Sequence, residues 1–340
     1  MDAIDSETVD LVVTSPPYPM IAMWDEGFCR DDSEIASALA AGDGETAFER
    51  MHRQLDQVWE EVHRILKPGG IACVNVGDAT RSVGSRFRLY PNHSRVLSAM
   101  LSLGFISLPA ILWRKPTNAP TKFMGSGMLP PGAYVTLEHE YILILRKGDR
   151  RRFVTASEKQ LRQESAFFWE ERNQWFSDVW VELKGTGQKL TSAEGRQRSG
   201  AYPFDIPYRL INMFSVKEDL VVDPFLGTGS TTIAAITAAR NSIGYESDLS
   251  LKPTIRRHLA VSCEELNQQI RKRLELHTKF VQSADKFAYQ SRYYGFPVKT
   301  RQEIGIFINP LMSVEKTSAE GVIARYEDRP EPIEASESKR

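Results

Sequence analysis

The sequence predicts an α/β protein built around a mostly parallel sheet, and three observations carry that prediction. Short apolar runs alternate with segments whose apolar residues recur every three or four positions. Leu220-Val221-Val222 runs into a glycine-bearing turn and then a helical segment, the order of a strand–turn–helix unit. A chain of 340 residues, 41% hydrophobic and 26% charged, can bury one large core with additions, or two cores.

Val9 to Thr14 predicts a buried strand, stopped by Pro16 and Pro17. Phe48, Met51, Leu55, Val58, Val62 and Ile65 predict an amphipathic helix from Glu45 to Lys67, ended by Pro68-Gly69-Gly70. Ile71 to Val76 then reads as a strand, Leu97 to Leu103 as a helix closed by Gly104, and Phe105 to Trp113 as a strand interrupted at Pro109. Glu140 to Arg146 predicts the next strand. After the glycine turn, a helix is expected from Ser230 to Arg240 and a strand from Ser242 to Tyr245. Ile255, Leu259, Leu266, Ile270 and Leu274 predict one long helix from Thr254 to about Val281. Tyr293 to Tyr326 reads as short strands with loops.

Two stretches lack a period. Trp113 to His139 is rich in Pro, Gly and Thr, a long loop of the kind that often carries function. Gly148 to Gly200 is polar but holds Phe167, Phe168, Trp169, Trp175, Phe176 and Trp180. That cluster reads first as a small accessory core and second as a base-stacking surface.

A net charge of −1 means that a nucleic-acid partner would need local basic patches. Arg146, Lys147, Arg150, Arg151 and Arg152, then Arg196 and Arg198, are the candidates, and each reads equally well as a solvated surface charge. Cys29, Cys73 and Cys263 lie far apart, which argues against a disulfide framework or a cysteine-rich zinc site and fits a reducing cytoplasm. No apolar run approaches the length of a membrane span, and Asp2, Asp5 and Glu7 are unlike a basic signal region. A cytoplasmic location is therefore expected.

Two motifs carry chemistry. In Asp223-Pro224-Phe225-Leu226-Gly227-Thr228-Gly229-Ser230-Thr231 the glycines permit a tight turn and close approach of a ligand to the backbone, before a helix N-terminus with free N–H groups. Alone, such a turn fits many α/β proteins. Here Glu246, at the end of the next strand, stands near the spacing at which an acidic residue meets ribose hydroxyls. The second motif is Thr14-Ser15-Pro16-Pro17-Tyr18. An aromatic amine is a poor nucleophile because its lone pair is delocalised into the ring. The Ser15 hydroxyl and Pro16 carbonyl could accept its N–H groups, Pro16 and Pro17 would hold the segment rigid, and Tyr18 offers a face for an extruded base.

In this order, and over about Ile4 to Asp248, these residues resemble the amino-methylating DNA methyltransferases of the permuted group called beta. The resemblance implies a Rossmann-like class I methyltransferase fold with a seven-stranded, mostly parallel sheet, S-adenosylmethionine as cofactor and double-stranded DNA as partner. By it, Asp223, Pro224, Phe225, Gly227, Gly229 and Thr231 would hold the cofactor, Glu246 its ribose, and Tyr202, Pro203 and Phe204 its methionine end. Ser15, Pro16, Pro17 and Tyr18 would form the catalytic set, transferring the methyl group by direct displacement without a metal. Ser-Pro-Pro-Tyr in this family usually implies N4 of cytosine, whereas Asn or Asp at its head usually implies N6 of adenine. Cytosine C5 methylation needs a Pro-Cys pair, and no cysteine here follows a proline. Protein-glutamine methyltransferases carry a similar Pro-Pro-Tyr, but their glycine motif comes first. Adenine N6 methylation stays open, as does a DNA-binding protein that keeps the fold without transferring methyl groups.

Relatives have a further strand, ending in Gly-Asp, shortly before the Ser-Pro-Pro-Tyr strand. Met1-Asp2-Ala3-Ile4 stands just after that point, so the sheet is expected to lack one N-terminal strand, as from a misplaced initiation codon. The expected layout is a catalytic domain over 1–250 with DNA-recognition insertions near 114–136 and 148–200. A C-terminal helical extension over 251–326 and a disordered tail over 327–340 would follow. A homodimer, and a cognate restriction endonuclease in a restriction-modification system, are the further partners to test.

Overall fold

A computed structural model of the chain describes residues 1–115, 125–183, 202–317 and 321–333. Strand β1 (Val9–Thr14) is wholly buried in the interior of a seven-stranded sheet. The others in chain order are β2 (Leu66–Val76), β5 (Phe105–Arg114), β6 (His139–Lys147), β7 (Val179–Trp180), β8 (Leu220–Asp223) and β9 (Asn241–Gly244), with β3 (Ala79–Val83) and β4 (Arg86–Tyr90) forming a separate hairpin. Across the sheet the order is β7-β5-β6-β2-β1-β8-β9. Only β6 opposes its neighbours; β1 pairs in parallel with β2 and β8, and β8 with β9. The seventh strand is the short β7, and β9 forms the opposite edge.

The two-residue period of the strands builds a three-layer core. Val12, Val74, Leu143, Leu145 and Val222 face one side, against Met51, Leu55 and Trp59 of the helix Gly44–Ile65. Leu11, Val13, Cys73, Ile144 and Val221 face the other, against Leu210, Ile211, Ala234 and Ala235 of the helices Asp205–Phe214 and Ser230–Thr237.

Several boundaries differ from expectation. Helix Gly44–Ile65 ends before Pro68-Gly69-Gly70, which lies inside β2. Val9 pairs with Leu66 and Leu11 with Ile71, so the residues between Leu66 and Ile71 stand opposite Asp10 alone. Looped out of the ladder, Pro68 needs no N–H there. Gly69, at φ +87°, is required because a Cβ would lie 2.5 Å from the Arg151 backbone nitrogen. The long C-terminal helix is two, Lys252–His258 and Cys263–Ser283, divided where Ser262 and Glu265 form a capping box.

The segment after Asp248 shares a third core with the residues before it, joining Leu266, Ile270, Ile306 and Leu311 to Phe168 and Ile236. Buried Arg273 makes a paired contact with Glu171, and Tyr326 donates to the Ile236 carbonyl at 2.8 Å. The expected disorder from Glu327 does not hold over 327–333. Glu327 and Ile333 donate their N–H groups to Pro310 and Arg292, and Arg329 pairs with Glu164. Residues 334–340 lie outside the described residues.

Phe168, Trp175 and Trp180 are buried, as an accessory core requires, while Trp169 and Phe176 remain exposed. Two basic candidates are spent on structure: Lys147 pairs with Glu7, and Arg151 bridges Asp10 and Asp219. Arg196 and Arg198 lie outside the described residues. Among the described residues no helix is long and apolar enough to cross a membrane.

Candidate active site and cofactor turn

Because β1 and β8 are parallel neighbours, the two motifs emerge side by side at one edge of the sheet. Asp223 binds them together. Its Oδ1 accepts from Thr14 Oγ1 at 2.6 Å and from the Phe225 N–H at 3.0 Å, and its Oδ2 accepts from Thr231 Oγ1 at 2.6 Å. Tyr202, expected near the cofactor's methionine end, places its hydroxyl 2.5 Å from Thr231 Oγ1. Pro203 is buried beside it, and Phe204 stacks on Tyr208 at 5.1 Å.

Burial pushes the Asp223 carboxyl up to about 6, against the pull of the donors from Thr14, Thr231 and Phe225. A carboxyl raised in the folded state contributes stability that is fully present below its ordinary value of 3.8 and lost as pH rises through about 6. Relative to Asp223→Asn, the wild type should therefore lose about 3 kcal/mol of stability between pH 4 and pH 7. Denaturant titrations of both proteins across that range check this; a difference that does not vary with pH would refute it.

Past Asp223, Pro224 is buried and Phe225 packs edge-on to Trp59. The turn is pinned from β9: Leu226 N–H donates to the Tyr245 carbonyl at 2.8 Å, and Gly227 N–H to Glu246 Oε2 at 2.9 Å. Glu246 Oε1 accepts from Asp248 N–H at 2.7 Å. Gly227 and Gly229 have φ of +55° and +91°, yet a Cβ on either would meet no protein atom closer than 3.9 Å. Their side of the turn is open, as a bound ligand requires. Gly244 is different, since a Cβ there would lie 2.5 Å from Leu226.

On the other side of Thr14, Pro16 is buried, Ser15, Pro17 and Tyr18 are half-buried, and a polar network forms. Ser15 Oγ lies 3.0 Å from the Tyr18 hydroxyl, which donates to Glu140 Oε2 at 3.0 Å. Asn75 Nδ2 reaches Tyr18 Oη at 2.8 Å and Glu140 Oε2 at 2.7 Å, and Lys115 Nζ meets Glu140 Oε1 at 2.6 Å. Burial, then the Glu140 charge, holds the Tyr18 phenol well above its ordinary range. The Tyr18 ring lies against Gly77, where a Cβ would approach it to 3.0 Å. Buried Asn75 Oδ1 has no partner among the described residues.

Asn75, Lys115 and Glu140 were not singled out from the sequence. A strand antiparallel to its neighbours brings its first residues to the edge where theirs end, so Glu140 meets Asn75 at the end of β2 and Tyr18 beyond β1.

A sheet packed by helices on both faces, with one opposed strand, a glycine turn and an adjoining Ser-Pro-Pro-Tyr segment, is the arrangement that the resemblance to the amino-methylating DNA methyltransferases implies. Residues 9–257 match the profile of the N6/N4 methyltransferase family, described as DNA methylase, and the chain belongs to that family. It is 50% identical over 304 residues to the type II methyltransferase M.MthZI of Methanothermobacter thermautotrophicus, covering 89% of this chain and 85% of that protein. To the type II methyltransferase M.MjaI of Methanocaldococcus jannaschii it is 50% identical over 272 residues, 77% of this chain and 88% of that one. Among solved structures, TTHA0409 of Thermus thermophilus, a putative DNA modification methylase complexed with S-adenosyl-L-methionine, superposes with a TM-score of 0.57 at 28% identity, covering 76% and 87% of the two chains. The PvuII cytosine-N4-specific DNA methyltransferase shares the fold, with a TM-score of 0.51 at 18% identity, covering 81% and 88%.

Proposed function

We propose that this DNA methyltransferase transfers the methyl group of S-adenosylmethionine to the N4 amine of cytosine in duplex DNA, as the modification member of a restriction-modification system. The observation that carries the reading is Ser15, a neutral hydroxyl at the head of the motif, one residue from the Thr14–Asp223 bond that ties it to the glycine turn. The open side of Gly227 and Gly229, with Glu246 at the turn and Tyr202, Pro203 and Phe204 behind it, fits the cofactor. The cofactor, when bound, supplies a methyl group that is already electrophilic. Asp223, Pro224, Phe225 and Thr231 shape the turn that receives it.

Ser15 Oγ and the Pro16 carbonyl accept the N–H groups of the flipped base, keeping the nitrogen lone pair out of the ring. Pro17 stiffens the segment and Tyr18 lines the pocket, its hydroxyl held by Asn75 and Glu140. Positioning supplies much of the rate. Residues 1–250 act as the catalytic domain, with the segments near 114–136 and 148–200 as recognition insertions within it.

The test is to incubate the protein with mixed-sequence duplex DNA and labelled S-adenosylmethionine, then digest the DNA to nucleosides. Labelled N4-methylcytosine is expected. N6-methyladenine would overturn the choice of base, and an absence of label with cofactor bound would favour a non-catalytic DNA-binding protein.

A further inference from the structure

The β3–β4 hairpin takes no part in either site described above. Ala79–Val83 and Arg86–Tyr90 pair antiparallel across Gly84-Ser85, with Gly84 at φ +60°. Its base is fixed. Arg81 holds Asp25 through two bonds of 2.8 and 2.7 Å, and buried Tyr90 packs against Phe48. Phe87 and Leu89 project from one face and are 43% and 44% exposed. Phe87 stacks on Tyr134, itself 51% exposed, with ring centroids 5.2 Å apart and planes within 9°.

This exposed aromatic pair joins the two segments that lead into the active site. The hairpin starts two residues after Gly77, on which the Tyr18 ring rests, and Tyr134 precedes Glu140 on the approach to β6. Phe87 pairs with Ser82, so it stands about 10 Å along the hairpin from Ala79. Residues 79–90 carry Arg81, Arg86 and Arg88 and no acidic residue; Arg81 pairs with Asp25 and Arg88 with Glu45, while Arg86 makes no ion pair among the described residues. An exposed aromatic pair beside one arginine without an ion pair, on a hairpin that begins two residues after the glycine under the Tyr18 ring, matches a polyanion with an apolar interior.

We propose that Phe87, backed by Tyr134, enters the base stack at the gap left when the target nucleotide is extruded, with Arg86 on an adjoining phosphate. Extruding a base breaks its pairing and stacking, and an inserted ring restores part of the stacking. The proposal rests on the reading that the enzyme acts on an extruded base. Its occupant is duplex DNA; a second copy of this chain is the competing one.

The experiment uses a duplex containing the methylated site found above, and a second duplex with an abasic site opposite the target base, where little pairing remains to break. Wild type should methylate both. Phe87→Ala should lose about ten- to a hundredfold on the paired duplex and stay within about twofold of wild type on the abasic one. Phe87→Trp should keep activity on both. Equal losses on the two duplexes, or no loss on either, would overturn the proposal. So would a change of oligomeric state in Phe87→Ala, seen by sedimentation, because the tip would then be a contact between copies. Wild type inactive on both duplexes would instead sink the underlying reading.

Discussion

Gly227→Val should weaken S-adenosylmethionine binding by a hundredfold or more while leaving the protein folded. At φ +55° a valine carries a backbone strain of about 1–2 kcal/mol, which a domain of this size survives. Its Cβ meets no protein atom closer than 3.9 Å, so no clash within the protein adds to that strain. The branches fall instead into the space on the open side of the turn. A hundredfold corresponds to about 2.7 kcal/mol, more than the strain alone. Calorimetric titration with the cofactor, beside a thermal melt, separates the effects. Unchanged affinity would mean that the open side of the turn is not the cofactor's place.

Ser15→Ala should produce the complementary result: turnover lower by about 10²–10³-fold, with cofactor affinity little changed. Removing Oγ deletes an acceptor for the amine but leaves the Tyr18 bonds to Glu140 and Asn75 intact. Thr14, whose hydroxyl binds Asp223, is untouched, so the turn keeps its anchor. Single-turnover rates at saturating cofactor, with a separate binding isotherm, check the division of labour. Equal loss of cofactor binding in the Ser15 and Gly227 variants would show that the two motifs do not divide the work.

The parts legible in the sequence were those whose signal is local. Strand β1 announced itself as an apolar run stopped by prolines, and the helix over Phe48 to Ile65 by its spacing. The β3–β4 hairpin went unseen because Gly84-Ser85 is a weak turn signal between short strands of mixed polarity. The passage of β2 through Pro68-Gly69-Gly70 was hidden because only pairing with β1 shows those residues looped out. In the candidate site, the segments that make the bed were readable, while its polar partners were not. Asn75 and Glu140 meet through the register of Val76 with Tyr141, and Lys115 joins them from beyond β5. No spacing along the chain encodes such a meeting.

The Thr14–Asp223 bond also bears on how the protein is made. The two residues are 209 positions apart, yet their strands are neighbours in the sheet. At about 5–20 residues per second, a ribosome needs about 10–40 s to pass from one to the other. Throughout that interval β1 lacks a neighbour on one side, leaving a bare apolar edge of the kind that recruits other chains. The Ser15–Tyr18 segment and the glycine turn then come together in one late step. A nascent chain that stalls before β8 therefore holds Ser15 to Tyr18 with Asn75, Lys115 and Glu140, none of the glycine turn, and an edge open to aggregation.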